Sequence, residues 1–398
     1  MDKRPTSATV AGIRQVAAAR STQHAAANDA DGGEPPAAAA TVALPNRNTS
    51  GRASCARDDG GSRAEGHGNT DNTGSTDTTA SDAAGHAAPA LSTPSAAGIT
   101  AVVVTYHPNI ERLAELLRLT RPQVSHVEVI DNGSPPACVQ AIHALCDDTI
   151  RLHPQGRNLG IGGAQNAGIA IARQHGADYV LLLDHDSLPA PDMVARLRSA
   201  IEAQPAGSQS VAAAGPYHAD PRHPNAPSPF VRQQGMKRVA CECKHENQLM
   251  EVEHVIASGC LIPLAVLDRV GDMNTQLFID YVDIEWCLRA THAGFRILGV
   301  CGARLSHELG DDFIQFRGKT LSNHSPLRNY YLFRNGLLLS RMPHIPPAWK
   351  RMDLRNLLIR FIINAVAQRP RWPWVRMSLL GILDGLRGKT GPRQADKA

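Results

Sequence analysis

The apolar run Tyr179–Leu183, which ends in two aspartates, constrains the fold more than any other stretch of this chain. Such runs, bounded by turn signals, are typical of a central strand in a sheet covered on both faces. Asp184 and Asp186 follow directly, and ligand sites in open α/β sheets lie just beyond the carboxyl ends of such strands. Two carboxylates there suit a hard divalent cation. Asp is also common in ordinary strand-ending turns, so the motif alone does not decide between the two.

Strand and helix patterns alternate on both sides of this run. The order predicts a doubly wound, parallel α/β sheet. Before the run, strands are predicted at 99–105, 127–130 and 149–152, and helices at 110–120, 138–145 and 164–176. After it, we predict a helix at 192–203, a loop-rich insertion at 205–235, a strand at 252–262, a helix at 264–270, an acidic cluster running into a helix at 277–289, and a strand at 295–300.

The first 97 residues differ from the rest in composition, because Ala, Gly, Ser, Thr, Asn and Asp dominate them. Such a segment buries too little apolar surface to offset its chain entropy, and we predict a disordered tail over 1–97. It has no continuous apolar stretch of the kind found in secretory signals.

The eight cysteines show no spacing typical of a disulfide scaffold. Cys241 and Cys243 resemble half of a metal site, but no second Cys/His pair follows at finger-like spacing. We therefore expect reduced thiols in a cytoplasmic protein.

The C-terminal stretch 327–398 carries 14 basic and 3 acidic residues. A helix is predicted over Trp349–Ala367, where Arg360 interrupts an apolar run too short to span a bilayer. The aromatic and basic residues of Arg369–Trp374 suit a membrane headgroup interface. The alternative is an ordinary helical cover on the preceding domain. Nucleic-acid binding is not expected, because no RNA- or DNA-binding motif accompanies the charge.

The glycine-rich segment 155–163, which leads into a helix, allows several interpretations. Gly160 and Gly162 fit part of a dinucleotide fingerprint, but Gln165 occupies the third glycine position. No Gly-Lys-Ser/Thr follows, which excludes a P-loop. Arg157 and Asn158 instead suit a nucleotide diphosphate approached by the glycine backbone. An ordinary strand-to-helix turn is the remaining alternative.

Several ordered motifs between residues 99 and 340 resemble the inverting family 2 glycosyltransferases with the GT-A fold, especially bacterial rhamnosyltransferases. The segments that carry the resemblance are Val103–Tyr106, Val129–Ser134, Asn158–Gly160 with Asn166 and Gly168, Leu183–Ser187, Ser258–Gly259, Phe278–Trp286 with Arg289, and His307–Gly310. The resemblance implies a GT-A catalytic domain at 98–326, a Rossmann-like, mostly parallel sheet flanked by helices. A helical, basic segment at 327–398, a candidate for membrane association, would follow it.

The same resemblance implies roles for individual residues. Asp184, Asp186 and His307 would hold Mg²⁺ or Mn²⁺, with a core histidine as the alternative for His307. Asp131 would accept a hydrogen bond from a pyrimidine N–H. The residues predicted to contact the nucleotide-sugar donor are Thr105, Tyr106, Asp131, Asn132, Arg157, Asn158, Gly160, Asn166 and Asp184.

Inversion requires one base that takes the proton of the acceptor hydroxyl. The family pattern aligns this base with Asp283. Val282 replaces the usual glutamate before it, which leaves Asp280 as a possible substitute. Acids that open a helix also interact favourably with its dipole, an alternative that fits Glu285 better than Asp283.

The resemblance thus predicts a metal-assisted hexosyltransferase at the inner face of the cytoplasmic membrane. It would transfer rhamnose from dTDP-rhamnose to a hydroxyl of a cell-surface polysaccharide or glycolipid such as O-antigen. Another nucleotide sugar, such as UDP-galactofuranose, is the alternative within the family. Two other classes stay open, namely a nicotinamide-dependent oxidoreductase with Asp184 on a ribose, and a non-catalytic nucleotide-binding scaffold.

Overall fold

The computed structural model describes residues 97–205, 207–219, 230–306, 312–316, 319–323 and 325–393. The tail predicted over 1–97 lies outside these ranges except for Ala97. The strands are β1 (Ile99–Thr105), β2 (His126–Asp131), β3 (Ile150–Pro154), β4 (Tyr179–Asp184), β5 (Leu188–Pro189), β6 (Val211–Ala219), β7 (Val231–Gln234), β8 (Lys237–Ala240), β9 (Leu249–Glu251), β10 (Cys260–Pro263), β11 (Arg296–Ser306), β12 (Asp312–Phe316) and β13 (Lys319–Asn323). The helices are α1 (Ile110–Thr120), α2 (Pro136–His143), α3 (Ile161–Gln174), α4 (Met193–Glu202), α5 (Leu264–Val270), α6 (Val282–His292), α7 (Pro326–Leu339), α8 (Pro347–Ala367) and α9 (Arg371–Leu386).

The first half of the central sheet is parallel, as the sequence predicts. Its strands lie in the order β3-β2-β1-β4. Val104 pairs with Asp184 on one side of β1, and Thr105 pairs with Asp131 on the other. The carboxyl ends of these strands therefore bring Thr105, Asp131 and Asp184 to one edge of the sheet.

The second half of the sheet is mixed. β10 runs antiparallel to β4 and to β6, and β11 is parallel to β6 but antiparallel to β5 and β9. Two separate hairpins, β7–β8 and β12–β13, complete the described strands. The fold is thus an α/β fold with a mixed, mostly parallel central sheet flanked by helices, of the GT-A type.

Two predicted boundaries in this second half are wrong. β6 occupies the middle of the segment 205–235, which the sequence predicts as loop-rich. Its sequence Val211–Ala219 is rich in Ala and contains Gly215 and Pro216, residues with low strand propensity. Burial between β10 and β11 determines its conformation instead. The strand predicted over 252–262 is confined to β10, because Val252–Gly259 forms an irregular segment.

Apolar side chains cover both faces of the sheet. β1 is buried along its whole length, and its residues alternate between two apolar layers, as the strand period requires. α1 and α4 pack on one face, and α3 and α6 pack on the other. Gly168 allows α3 to approach β1 closely, because a Cβ there would lie 2.3 Å from Val102 Cγ1.

The three C-terminal helices lie beyond the sheet, in the part of the chain where the sequence predicts helices. Pro326 occupies the first turn of α7, and the Ser325 side chain caps that helix by accepting from the Arg328 backbone N–H. α7 packs extensively against α9. In the part of the chain that the structure describes, we find no helix of the length and hydropathy needed to span a membrane.

Among the described residues, the expectation of reduced thiols is wrong for Cys243 and Cys301. Cys243 and Cys301 form a disulfide that links the segment before β9 to β11, with their Cα atoms 5.7 Å apart. Their separation of 58 residues gave no local spacing signal. The pairing of β9 with β11 is what brings them together.

Candidate active site

A buried hydrogen-bond group joins the carboxyl ends of β1 and β2. The Thr105 hydroxyl donates to Asp131 Oδ1 at 3.1 Å. Asp131 Oδ2 accepts from the backbone N–H groups of Gly133 and Ser134 at 3.2 and 2.9 Å. Asp131 is only 1% exposed. A carboxylate has about four acceptor positions, so Asp131 retains capacity for a ligand N–H. Tyr106, which follows Thr105 in the sequence, is exposed.

Asn132 holds the glycine-rich loop against this group. Its side-chain oxygen accepts from the Leu159 N–H at 2.8 Å, and its amide donates to Asn158 Oδ1 at 3.1 Å. Asn158 Oδ1 also accepts from the Gly160 N–H at 2.8 Å. The Arg157 side chain is exposed at the outer edge of this loop. The loop is therefore fixed in position while its cationic residue stays accessible.

Gly160 connects the glycine-rich loop to the later acidic segment. It has φ +78° and is the N-cap of α3. A Cβ at this position would lie 2.4 Å from the Phe278 carbonyl oxygen. The Ile161 N–H donates to that same oxygen at 2.7 Å. Only glycine suits this conformation and this close approach. The loop after β3 and the segment before α6 are consequently neighbours.

Asp184 and Asp186 lie half-buried at the end of β4. The Asp184 N–H donates to the Ser258 hydroxyl at 3.4 Å, and that hydroxyl also hydrogen-bonds Ser187. The Asp186 carbonyl accepts from Arg112 Nε at 3.0 Å. Carboxylate oxygens are the ligands that Mg²⁺ and Mn²⁺ prefer, so these two aspartates fit either ion. Their position fits as well, because the turn that carries them is anchored on both sides.

The third predicted metal ligand, His307, lies outside the described residues. Ser306, which precedes it, is the last residue of β11 and pairs with Leu188. Leu188 follows Asp186 by two positions. The last described residue before His307 therefore lies beside the turn Asp184–Ser187, which we call the aspartate turn.

A strained turn precedes α6 and carries the acidic cluster. Phe278, Asp280 and Tyr281 all have positive φ, between 63° and 65°. Conformations of this kind cost on the order of 1–3 kcal/mol each for non-glycine residues and collect at functional sites. We call residues 277–281 the strained turn.

Side chains from α7 and α8 hold the strained turn in place. The buried Asn335 amide donates to the carbonyl oxygens of Leu277, Ile279 and Asp280, at 2.8–3.0 Å. The Tyr281 hydroxyl donates to Asp353 Oδ2 at 2.9 Å. Burial raises the pKa of Asp353 to about 6. Two helices distant in sequence thus determine the geometry at the start of α6.

The two candidate bases have different surroundings. Asp280 Oδ1 forms an ion pair with Arg328 at 2.7 Å. Asp283, in the first turn of α6, accepts from the Ile284 N–H at 2.8 Å and lines a small apolar cavity with Leu182, Ala257 and Trp286. Burial raises the pKa of the Asp283 carboxyl, an effect that the positive field of His254 and the N–H groups of Ile284 and Ala257 oppose. Asp283 therefore binds a proton more tightly than an ordinary aspartate.

Asn166 on α3 and Glu285 in the acidic cluster are engaged in structural contacts. Both ends of the Asn166 amide bind the backbone of Met273, each at 2.9 Å. Glu285 is buried and forms an ion pair with Arg289 at 3.0 Å, and His344 Nε2 lies 2.9 Å from its carboxylate. The remaining predicted residues in the described ranges surround one edge of the sheet. The Asn166 amide is occupied by Met273 at both its oxygen and its nitrogen.

Three residues of the site carry no signal in the sequence. Arg112 lies on α1, His218 near the end of β6, and Arg328 in the first turn of α7. His218 is buried and its Nε2 lies 2.9 Å from the Ser258 carbonyl oxygen. None of them stands in a recognisable motif, and each reaches the site through a contact between residues at least 40 apart in sequence.

Comparisons with known proteins identify the family of this chain. The family model described as Glycosyl transferase family 2 matches residues 100–249. The chain is 30% identical over 311 residues to the dTDP-rhamnosyl transferase RfbF of Shigella flexneri, covering 74% of this chain and 97% of that protein. It is 25% identical over 300 residues to the galactofuranosyltransferase GlfT1 of Mycolicibacterium smegmatis, covering 71% and 96%.

Among solved structures, the chain is similar to GalNAc-T7 with UDP, GalNAc and Mn²⁺, at a TM-score of 0.44 and 13% identity. That likeness covers 68% of this chain and 56% of GalNAc-T7, so the chain spans just over half of the length of that protein.

Proposed function

The chain belongs to glycosyl transferase family 2, whose members take their sugar from a nucleotide sugar, and we propose that its donor is dTDP-rhamnose. The resemblance to RfbF, which extends over nearly the whole of that protein, supports this choice. UDP-galactofuranose is the second candidate, and the similarity to GlfT1 favours it. Membership of the family displaces the oxidoreductase interpretation of the glycine-rich loop.

The observation that carries the proposal is the convergence of separate motifs at one sheet edge. Asp131 would accept from the pyrimidine N–H, and Thr105 holds its carboxylate in place. Exposed Tyr106 would contact the base or ribose. Arg157 would approach the diphosphate, while Asn132, Asn158 and Gly160 fix the loop that carries it. We leave Asn166 out of the donor contacts, because its amide binds Met273.

Asp184, Asp186 and His307 would hold Mg²⁺ or Mn²⁺, and Asp184 would also contact the ribose of the donor. When bound, the ion offsets the charge of the leaving nucleoside diphosphate. Arg112 would add a fixed positive charge near this turn, because its Nε already donates to the Asp186 carbonyl.

Asp283 would be the base, and the sugar would be transferred with inversion. The acceptor oxygen attacks the anomeric carbon as its proton passes to the Asp283 carboxylate. The bond from that carbon to the phosphate oxygen breaks, and the nucleoside diphosphate leaves with the electron pair. A raised pKa suits a base that works near neutral pH. Asp280 is the weaker candidate, because its carboxylate is already engaged by Arg328 at 2.7 Å.

The acceptor would be a saccharide or lipid-linked saccharide of a cell-surface polysaccharide at the inner face of the cytoplasmic membrane. The surface of α8 supports this location. Leu354, Leu358, Ile362 and Val366 are exposed at intervals of four residues and form one apolar stripe. Arg351 and Arg355 are exposed beside it. An apolar stripe with flanking cations suits an anionic membrane surface.

Donor and metal are tested together by thermal unfolding of the full chain with dTDP-rhamnose, UDP-galactofuranose and dTDP, each with and without Mn²⁺. The preferred donor should raise Tm most, and Mn²⁺ should enlarge that shift. Asp186→Asn should remove the Mn²⁺ effect and lower the rate of transfer by about a hundredfold. If a nucleotide sugar is bound but neither transferred nor hydrolysed, the chain is a non-catalytic nucleotide-binding scaffold and the proposal fails. Absence of any binding also contradicts the proposal.

Membrane contact is tested by sedimentation with phosphatidylglycerol vesicles, with phosphatidylcholine vesicles as the uncharged comparison. The double substitution Leu358→Glu and Ile362→Glu should abolish binding. Met236→Glu, at an exposed position outside α8, should leave it unchanged. Equal binding of both variants would contradict the proposed surface.

A further inference from the structure

A buried glutamate lies between histidines at the end of β2 opposite the candidate active site. His126 and Glu128 are two residues apart on β2 and project to the same face. His175 follows α3 directly, and its ring centroid is 4.6 Å from that of His126. The Glu128 side chain has no exposure to solvent. We call His126, Glu128 and His175 the far-end cluster.

The cluster presents three buried polar atoms that make no hydrogen bond within the described part of the chain, namely His126 Nδ1, Glu128 Oε1 and His175 Nδ1. His175 Nδ1 is 3.5 Å from Glu128 Oε1. One ligand atom from each of the three residues lies within 4.8 Å of the other two. Buried polar atoms without partners are rare in folded proteins, and an ion is one of their explanations.

We propose that the far-end cluster binds a Zn²⁺ ion. Two imidazole nitrogens and one carboxylate oxygen form a ligand set typical of four-coordinate zinc, with water as the fourth ligand. Imidazole favours zinc and similar transition metals, whereas Mg²⁺ and Mn²⁺ prefer oxygen ligands such as Asp184 and Asp186. The far-end cluster and the aspartate turn would therefore select different metals.

Among the neighbouring residues, His153 favours zinc binding and Arg151 opposes it. His153 Nε2 lies 2.5 Å from Glu128 Oε2 and would fix the carboxylate so that Oε1 faces the ion. Arg151 Nη1 lies 3.2 Å from His175 Nε2. A guanidinium only donates, whereas a metal on Nδ1 requires the proton on Nε2. Arg151 is exposed on the edge strand β3 and must turn away when the ion binds.

The ion would fasten the C-terminal end of α3 to β2. His126 and Asp131 are five positions apart along an extended strand, which corresponds to a distance of about 17 Å. The opposite end of α3 is capped by Gly160, in the loop that neighbours Asp131 and Phe278. A metal at the far end would therefore be a structural ion that holds the helix carrying this loop.

The experiment is a calorimetric titration of the untagged full chain, stripped with EDTA, with Zn²⁺ and in parallel with Mn²⁺. We expect one equivalent of Zn²⁺ that raises Tm and is lost in the double variant His126→Gln and His175→Gln. The matched double variant at exposed positions, His143→Gln and His292→Gln, should retain it. Asp186→Asn should retain it as well.

Two further variants test the neighbours. His153→Gln should weaken zinc binding by about 10- to 100-fold. Arg151→Gln should strengthen it several-fold, because a competing cation is removed. Glu128→Gln covers the case in which the double histidine variant does not fold. It removes a buried charge, so it should fold without metal, as judged by circular dichroism, and yet lose the zinc equivalent.

The proposal is overturned if the number of zinc equivalents is the same in the wild type and in Glu128→Gln. It is also overturned if Asp186→Asn alone removes the zinc, because the ion would then belong to the aspartate turn.

Discussion

The two acidic segments of the candidate active site are held in different ways. Asp184 and Asp186 follow a regular central strand whose pairing with β1 fixes their place at the sheet edge. Asp280 lies within the strained turn, in which three non-glycine residues have positive φ, and Asp283 follows that turn. Side chains of α7 and α8 keep that turn in shape.

The difference shows that one half of the site belongs to the sheet and the other half depends on the C-terminal helices. A boundary between a catalytic domain at 98–326 and a separate segment at 327–398 remains a prediction. Asn335 and Asp353 nevertheless lie in that segment and contact the strained turn directly. The helices after residue 326 therefore have a positioning role in addition to the membrane contact that we propose.

The largest expected effect separates Asp283 from Asp280. Asp283→Asn should lower kcat for sugar transfer by about 10²- to 10⁴-fold, because the acceptor hydroxyl loses its base. Asp280→Asn should lower it less, since that carboxylate serves mainly its ion pair with Arg328. Steady-state transfer assays measure both, with Tm as the check on folding. The reverse order of effects would transfer the role of base to Asp280.

A smaller effect tests the dependence on α7. Asn335→Ala leaves three carbonyl oxygens of the strained turn without their shared donor. We expect a loss of about 2 kcal/mol or more in the free energy of unfolding, together with a lower kcat at temperatures where the protein is folded. Asn356→Ala, near the surface of α8, is the control and should change neither quantity. An unchanged kcat in Asn335→Ala would show that the turn keeps its shape without α7.

A third effect concerns pH and the contact between Tyr281 and Asp353. The folded-state pKa of Asp353 is raised from 3.8 to about 6, so the folded protein binds this proton more tightly than the unfolded chain. Wild-type stability should therefore fall relative to Asp353→Asn as pH rises from about 4 to 6, by roughly 3 kcal/mol in total. Denaturant unfolding at several pH values measures this difference.

Asp384 provides a control of opposite sign. Its hydrogen bonds from Lys389 and Tyr330 lower the pKa of its carboxyl against the opposing effect of burial. The stability that it contributes is present above its unfolded pKa and is lost as pH falls. Asp384→Asn should therefore destabilise the protein at neutral pH, whereas Asp353→Asn should stabilise it. The same sign for both variants would contradict this account.

Much of the fold could be predicted from the sequence because the parallel half uses strong local signals. β1 and β4 are continuous apolar runs, and α1 shows clear helical spacing with Asn109 as its cap. The order of these elements then leads to the doubly wound topology. β6 escaped prediction because its Ala, Gly and Pro residues favour no regular structure, and only burial between two neighbours makes it a strand.

The sequence by itself determined which polar residues end the strands, and therefore that Thr105, Asp131 and Asp184 meet at one edge. That result follows from the period of the strand and the handedness of the connections, which are local properties. The tertiary structure decided that Asn166 binds Met273, that Asp280 pairs with Arg328, and that α7 and α8 hold the strained turn. It also brought His126, Glu128 and His175 together. Contacts of this kind join residues far apart in sequence, and no local pattern encodes such a distance.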